Sequence, residues 1–474
     1  MKASKILWIG LVLLLGVSML AMARGGQQAP AATTGGGVTT IRVWSNDAGQ
    51  DAGVSPWVQR WNQTTGAQRG IVIDYTVYGA DWQTAMNVAM ETNREPEMMK
   101  SFTNYEQYVT AGRLLPWTEI PGVEDILRNQ QPYHRNQTSL FNGVPYSVIW
   151  SGWYSGFHYN KALVQRAGFS APPRTWAEFE QQAIAISRLE PGRIYGYAMP
   201  LVWSPDFTTW MTEYFATSSI GHMYWNFTEG KFQFADFTPY FELLGRIRDA
   251  GAMFPGMENL SDDQQRAYFA DGRIGFIGGA GWNVGVLYDQ FPFGGGASGS
   301  PANATGWDYS PMPVQNLNQT YAVPVSAGAS WVISAQVRND RDKLNKIGDV
   351  IRCFLGDDFQ VAMFEAGYWI PLRSDITSRA RPGSRPQTTT YGQSVTRTVT
   401  MPSSPTTRVA PEGADRVAVI GQILTGQIPV SGIRAALEDL DRRYNAAFDQ
   451  AVSRSQLNRA DFIDPTFEQR LSAR

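Results

Sequence analysis

Apolar and polar positions along the chain change period in a regular way. Ile41 and Val43 alternate with polar neighbours, the two-residue period of a half-buried strand. Ser55-Pro56 follows as a helix start, with Ser as cap, Pro at the first helical position, and Trp57, Val58 and Trp61 on the apolar face. Ile71, Ile73, Tyr75 and Val77 alternate again. Asp81 then precedes a helix whose apolar face is Trp82, Ala85, Met86, Ala89 and Met90, and a short strand fits Glu97 to Ser101. Strand–helix–strand–helix–strand at this spacing predicts a parallel sheet with crossover helices, an α/β fold.

A second block begins after Gly143-Val144-Pro145. Thr175-Trp176-Ala177-Glu178 has the form of a capping box, and its helix presents Trp176, Phe179, Ala183 and Ile186 on one face. Further helices are expected near 340–366, 412–425 and 431–453. Residues 380–410, rich in Pro, Ser, Thr and Arg, form a long connection that reads as a functional or a solvated loop, and Gly294 to Ser300 reads as a mobile loop. The glycine-rich run Gly275–Gly281 is expected to be a strand end and tight turn that places Trp282 at a cleft.

With 474 residues, 43% hydrophobic, the chain has material for two or three compact lobes. The formal net charge of −2 without a basic run argues against a nucleic-acid partner. Lys2 and Lys5, an apolar run from Ile6 to Leu20, and Ala21-Met22-Ala23 read as a secretory signal over residues 1–23, with 24–37 a flexible lead. Cys353 is the one cysteine, which excludes an intramolecular disulfide and a lipid-bearing Cys at the cleavage site. A freely soluble protein outside the cytoplasm, in the periplasm, is expected.

Motifs of catalysis are lacking. The three His are far apart, and HExxH, paired Cys, GxSxG and P-loop patterns do not occur. No metal and no cofactor is expected. A pair of cleft carboxylates is recognised by separation in space, so a secreted glycan-active enzyme stays as the alternative.

Ligands of open parallel sheets bind beyond the carboxyl ends of the strands. Those ends carry Trp44 with Asp47, Asp81 with Trp82, and Asn104 with Tyr105. Aromatic faces beside carboxylate and amide groups suit a sugar, whose C–H face stacks while its hydroxyls are hydrogen-bonded. Asp81 reads equally as a helix cap, Trp82 as core, and Asp47 and Asn104 as turn residues.

The segments Asn142-Gly143-Val144-Pro145-Tyr146, Phe157-His158-Tyr159-Asn160-Lys161, Pro172-Pro173-Arg174-Thr175-Trp176-Ala177-Glu178-Phe179, Gly281-Trp282, Gly367-Tyr368-Trp369-Ile370-Pro371 and Leu424-Thr425-Gly426 occur in a telling order. They resemble the extracellular solute-binding proteins of carbohydrate ABC transporters, the maltose-binding-protein-like class, over about residues 38–455. Glu97 and Gly275-Phe276 depart from the family pattern at positions that read as structural.

The resemblance implies a two-lobed periplasmic-binding-protein fold of type II. It implies a carbohydrate ligand in the cleft between the lobes, and ABC transporter permease subunits as membrane partners. Trp282 and Trp369 would face that cleft. Trp150, Trp153 and Trp203 lie near the expected crossing or on second-lobe loops, where packing is the competing role. Residues 38–147 with 319–375 are expected as one lobe, 148–318 with 376–474 as the other, in a monomer.

Overall fold

The computed structural model describes residues 37–79, 81–102, 105–135, 138–201, 205–290, 306–326, 330–381, 387 and 398–472. Counting helices of nine residues or more, the chain begins β1 (Thr39–Ser45), α1 (Asp51–Trp61), β2 (Ile71–Val77), α2 (Trp82–Glu91) and β3 (Met98–Lys100). A hairpin of β4 (Leu140–Phe141) and β5 (Val144–Pro145) leads to the long β6 (Ser151–Asn160), α3 (Trp176–Ser187) and β7 (Tyr195–Ala198). Next come α4 (Pro205–Ile220), a hairpin of β8 (Trp225–Asn226) and β9 (Lys231–Phe232), α5 (Thr238–Asp249) and α6 (Asp262–Ala270). Then follow β10 (Ile274–Ala280), α7 (Trp282–Gln290), β11 (Trp307–Ser310), β12 (Val323–Ser326) and β13 (Trp331–Ile333). The chain closes with α8 (Arg341–Leu355), α9 (Asp357–Glu365), β14 (Ile370–Pro371), β15 (Thr398–Thr400), α10 (Arg416–Thr425) and α11 (Ile433–Ser453).

Two sheets organise these elements. The first has the order β13-β3-β1-β2, with β1 parallel to β3 and β13 antiparallel to β3. Its core joins Ile41, Val43, Ile71 and Ile73 to the helical residues Val58, Ile347, Ile351 and Phe354. The second runs β15-β12-β6-β10-β7. One edge of β6 is shared in succession by β14, β12 and β11, while β10 occupies the other edge. Phe157, Phe179, Tyr197 and Phe276 interlock over this sheet, and α10 and α11 add Ile420, Leu437 and Tyr444 to the same core.

The passages between the sheets run side by side, since the Ser330 N–H donates to the Val148 carbonyl at 3.0 Å. Strand pairing puts the return to the first sheet between Ser326 and Trp331, because β12 still pairs with β6.

The capping box forms as expected: Thr175 Oγ1 accepts from the Glu178 N–H, and Glu178 reaches back to the Thr175 N–H. Two local expectations need correction. The first helix starts at Asp51 rather than Ser55, and Pro56 lies inside it. Asp51 puts a carboxylate in the first turn and accepts from Ser55 Oγ at 2.5 Å, so the start signal lies one turn earlier than the Ser-Pro pair. The run Gly275–Ala280 is no strand end but a fully buried strand. A β-carbon at Gly278 would stand 2.3 Å from Met211 Cε, so glycine here lets α4 press against the sheet. Gly294 to Ser300 lies outside the described residues, as do 382–386 and 388–397 of the long connection. Among the described residues, no helix is long and apolar enough to cross a membrane.

Candidate functional site

Because β1 and β3 are parallel, their carboxyl ends, Ser45 and Lys100, share one edge of the first sheet. Asp47 stands just beyond β1. Its N–H donates to Ser45 Oγ at 3.0 Å, and Ser45 Oγ donates to Asp47 Oδ2 at 3.1 Å, a closed local loop that fixes the carboxylate. Lys100 Nζ meets the same Oδ2 at 3.0 Å, with the two side chains only 12% and 13% exposed.

Lys100 also lies against two indole rings, its Nζ 5.2 Å from the Trp331 centroid and 5.7 Å from that of Trp369. An ammonium over an aromatic face is attracted by the ring's negative π surface. Trp331 opposes Lys100 across the β3–β13 pair. Trp369 and Trp150, both buried, pack ring to ring at 5.6 Å. Asp47, Tyr75, Lys100, Trp150, Trp331 and Trp369 therefore line one narrow cavity, with room for about one water molecule. The Trp369 Nε1–H is buried there without a partner among the described residues, and the buried Tyr75 O–H lies beside Ser45, whose hydroxyl is engaged with Asp47. Burial, with the charge of Asp47, pushes the Tyr75 phenol well above its usual pKa.

A second aromatic group adjoins the ends of β1 and β2. The rings of Trp44 and Tyr78, both half-buried, lie 5.0 Å apart at 53°, and Tyr78 contacts Trp82 at 6.0 Å. Trp82 itself is buried among Met86, Met90 and Met99, which makes it core in this structure. Asp81 occupies the N-cap position of α2 but makes no side-chain cap bond and is exposed, so its carboxylate is available at the surface. Tyr105 is buried edge-on to Phe141, and its hydroxyl donates to the Thr138 carbonyl. Asn104 and Trp203 lie outside the described residues, as do the side chains of Trp153 and Trp282.

On the second sheet, α7 starts at Trp282, directly after β10. The next residue, Asn283, is clamped: its Oδ1 accepts from Arg266 Nε at 2.9 Å. Arg266 is buried and ion-paired with Asp262 one turn earlier on α6, and with Asp263 at 2.8 Å. Burial pushes the Asp262 carboxyl up to about 6. Nearby His158 is wholly buried, edge-on to Trp307 at 5.5 Å; burial and the Arg266 charge lower its pKa to about 3. A histidine so depressed is neutral at pH 7. Among the described residues no cluster of His, Cys, Asp or Glu could hold a metal ion.

Asp47, Trp150 and Trp369, expected at the site from the sequence, are thus brought together. Trp44 stands beside Tyr78, at the end of the same strand β1. Tyr75, Lys100 and Trp331 were not singled out. The available signal for Lys100 was a lone cation ending the apolar strand Met98-Met99.

Residues 46–340, more than half of the chain, match the family of bacterial extracellular solute-binding proteins. The chain belongs to that family. Comparison with curated protein sequences gave no match. Among solved structures, this solute-binding protein is similar to a chitin oligosaccharide binding protein, at 16% identity and TM-score 0.64, over 87% of this chain and 100% of that one. It is similar to the sugar-binding protein MalE from the phytopathogen Xanthomonas citri, at 18% identity and TM-score 0.61, over 89% and 100% of the two chains. A third is the GacH receptor of Streptomyces glaucescens, described free and with acarbose, at 14% identity and TM-score 0.65, over 86% and 98%. At these identities the likeness is one of fold, the two-lobed periplasmic-binding-protein fold of type II that the family resemblance implies.

Proposed function

We propose that this solute-binding protein captures a small carbohydrate between its two sheet-based lobes and delivers it to the permease of an ABC importer. The observation that carries the reading is the Asp47–Lys100 pair at the strand ends, set among Trp150, Trp331 and Trp369. Hydrogen-bonding groups fixed beside flat apolar faces match the two-sided chemistry of a pyranose. The sugar ligands named for the chitin oligosaccharide binding protein, MalE and GacH support the same reading. Trp44, Asp47, Trp150, Trp282 and Trp369 are the residues we assign to the ligand, with Tyr78 added as the ring beside Trp44.

The protein acts as a receptor and returns its ligand unchanged. Transport requires the ligand to bind the closed form better than the open one, so that capture changes what the permease meets. The signal-like pattern of residues 1–23 supports export, and the chain works as a monomer. A thermal-shift screen against a sugar library tests the reading, because a ligand bound only by the native state raises the melting temperature. A library in which no sugar moves the transition would sink it. Release of cleaved products from a bound oligosaccharide would favour the glycan-active alternative.

A further inference from the structure

The walls of the cavity between Asp47, Tyr75, Lys100 and Trp369 are unbalanced in hydrogen-bonding capacity. Trp369 Nε1–H is a buried donor without a partner among the described residues, and the buried Tyr75 O–H lies beside Ser45, whose hydroxyl is engaged with Asp47. Lys100 offers further N–H groups, and one side of its ammonium is held by Asp47 at 3.0 Å. Buried donors left unpaired are unfavourable, so this space calls for an oxygen. With room for about one water, it takes a hydroxyl and not a sugar ring.

Charge decides which oxygen. Lys100 is already paired with Asp47, so the cavity offers no free cation to a second carboxylate. Burying an unpaired carboxylate there would be unfavourable. A neutral hydroxyl can accept from Tyr75 and Trp369 while donating to Asp47. Lys100, held between the faces of Trp331 and Trp369, keeps the Asp47 carboxylate turned to the same spot.

We propose that Tyr75, Lys100 and Trp369 form with Asp47 a socket for one hydroxyl of a neutral sugar, and that this socket discriminates against a uronate. The proposal rests on the carbohydrate reading above. A hydroxyl matches one water in size and in its capacity both to accept and to donate, which suits it to this space.

The test is calorimetric titration of the full chain with maltotriose, xylotriose, chitotriose and trigalacturonate, repeated with Tyr75→Phe, Trp369→Phe and Lys100→Met. At least one neutral trisaccharide binds and trigalacturonate does not. Tyr75→Phe, which keeps the ring, weakens that binding by about tenfold with the ligand-free melting temperature nearly unchanged. Monodeoxy analogues of the bound sugar supply a readout that packing alone does not move. One of them binds the parent protein about tenfold more weakly, and Tyr75→Phe narrows that gap. Equal binding of trigalacturonate, or affinity within twofold after Tyr75→Phe, overturns the socket and leaves the carbohydrate reading standing. Silence from all four sugars removes the carbohydrate reading and the socket with it.

Discussion

Gly49 lies so close to Val286 that a β-carbon built on it would stand 2.9 Å from Val286 Cγ2. Gly49 follows Asp47 in the turn after β1, whereas Val286 sits on α7, beyond the second sheet. The turn that carries a candidate ligand carboxylate therefore rests on the helix that begins at Trp282. A branched side chain at Gly49 would hold these surfaces apart. We expect Gly49→Val to weaken sugar binding by about tenfold, ~1.4 kcal/mol, through the closed state alone. Small-angle scattering should show an expanded particle, and unchanged affinity with an unchanged profile would count against this contact as a closing surface.

Arg266 is expected to be far less replaceable. It neutralises Asp262 inside α6 and holds Asn283 at the start of α7. Arg266→Met leaves a buried carboxylate unpaired and should cost about 3–5 kcal/mol in urea unfolding. Adding Asp262→Asn removes the stranded charge, so the double variant should recover a large part of that loss. A strictly additive double variant would mean that the two residues do not act as a pair.

His158 predicts an acid-side loss of stability. Its folded pKa, about 3, lies below the ordinary 6.5, so the unfolded chain takes up the proton first as pH falls. The stabilisation is complete above pH 6.5 and drains away as pH falls from there toward 3. The slope is about 1.4 kcal/mol per pH unit. Denaturant melts from pH 7 to 4.5 should show a shallower decline for His158→Gln than for the parent. Parallel curves would assign the acid sensitivity to other groups.

Gly278 should not accept a side chain. Phe215 as well as Met211 crowds the space a β-carbon would need, the Phe215 ring at 2.5 Å. Gly278→Val is expected to lower stability by about 1–3 kcal/mol by overpacking, read as a lower urea midpoint at unchanged slope. A midpoint equal to that of the parent protein would show that α4 can yield at no cost.

The legible parts of this molecule are those whose cause is local. Thr175 and Glu178 cap their helix because three residues of spacing suffice, and Ile71, Ile73 and Tyr75 declare a strand by alternation. Gly275–Ala280 was misread because glycine has no side chain with which to mark a period; its strand is dictated by Met211, Phe215 and Ile186, which arrive from elsewhere. The site was legible as far as the strand-end rule reaches, to Trp44 and Asp47, and as far as the family resemblance reaches, to the Trp369 loop. Lys100 stayed hidden because its meaning lies in Asp47, Trp331 and Trp369, residues up to 269 positions away, and no window of sequence contains them.

The long strand Ser151–Asn160 borrows its partners from late in the chain. Trp307–Ser310, Val323–Ser326 and Ile370–Pro371 dock on one side of it, and Thr398–Thr400 joins behind Val323–Ser326. A ribosome adding roughly 5–20 residues per second would finish those segments roughly 10–50 seconds after Asn160. Throughout that interval the newborn strand carries an unsatisfied edge, and few of its eventual contacts are near in sequence. Maturation of this half of the molecule is therefore tied to the arrival of its last quarter, and a nascent chain cut short before Thr398 would keep that sheet open to capture by chaperones or by its neighbours.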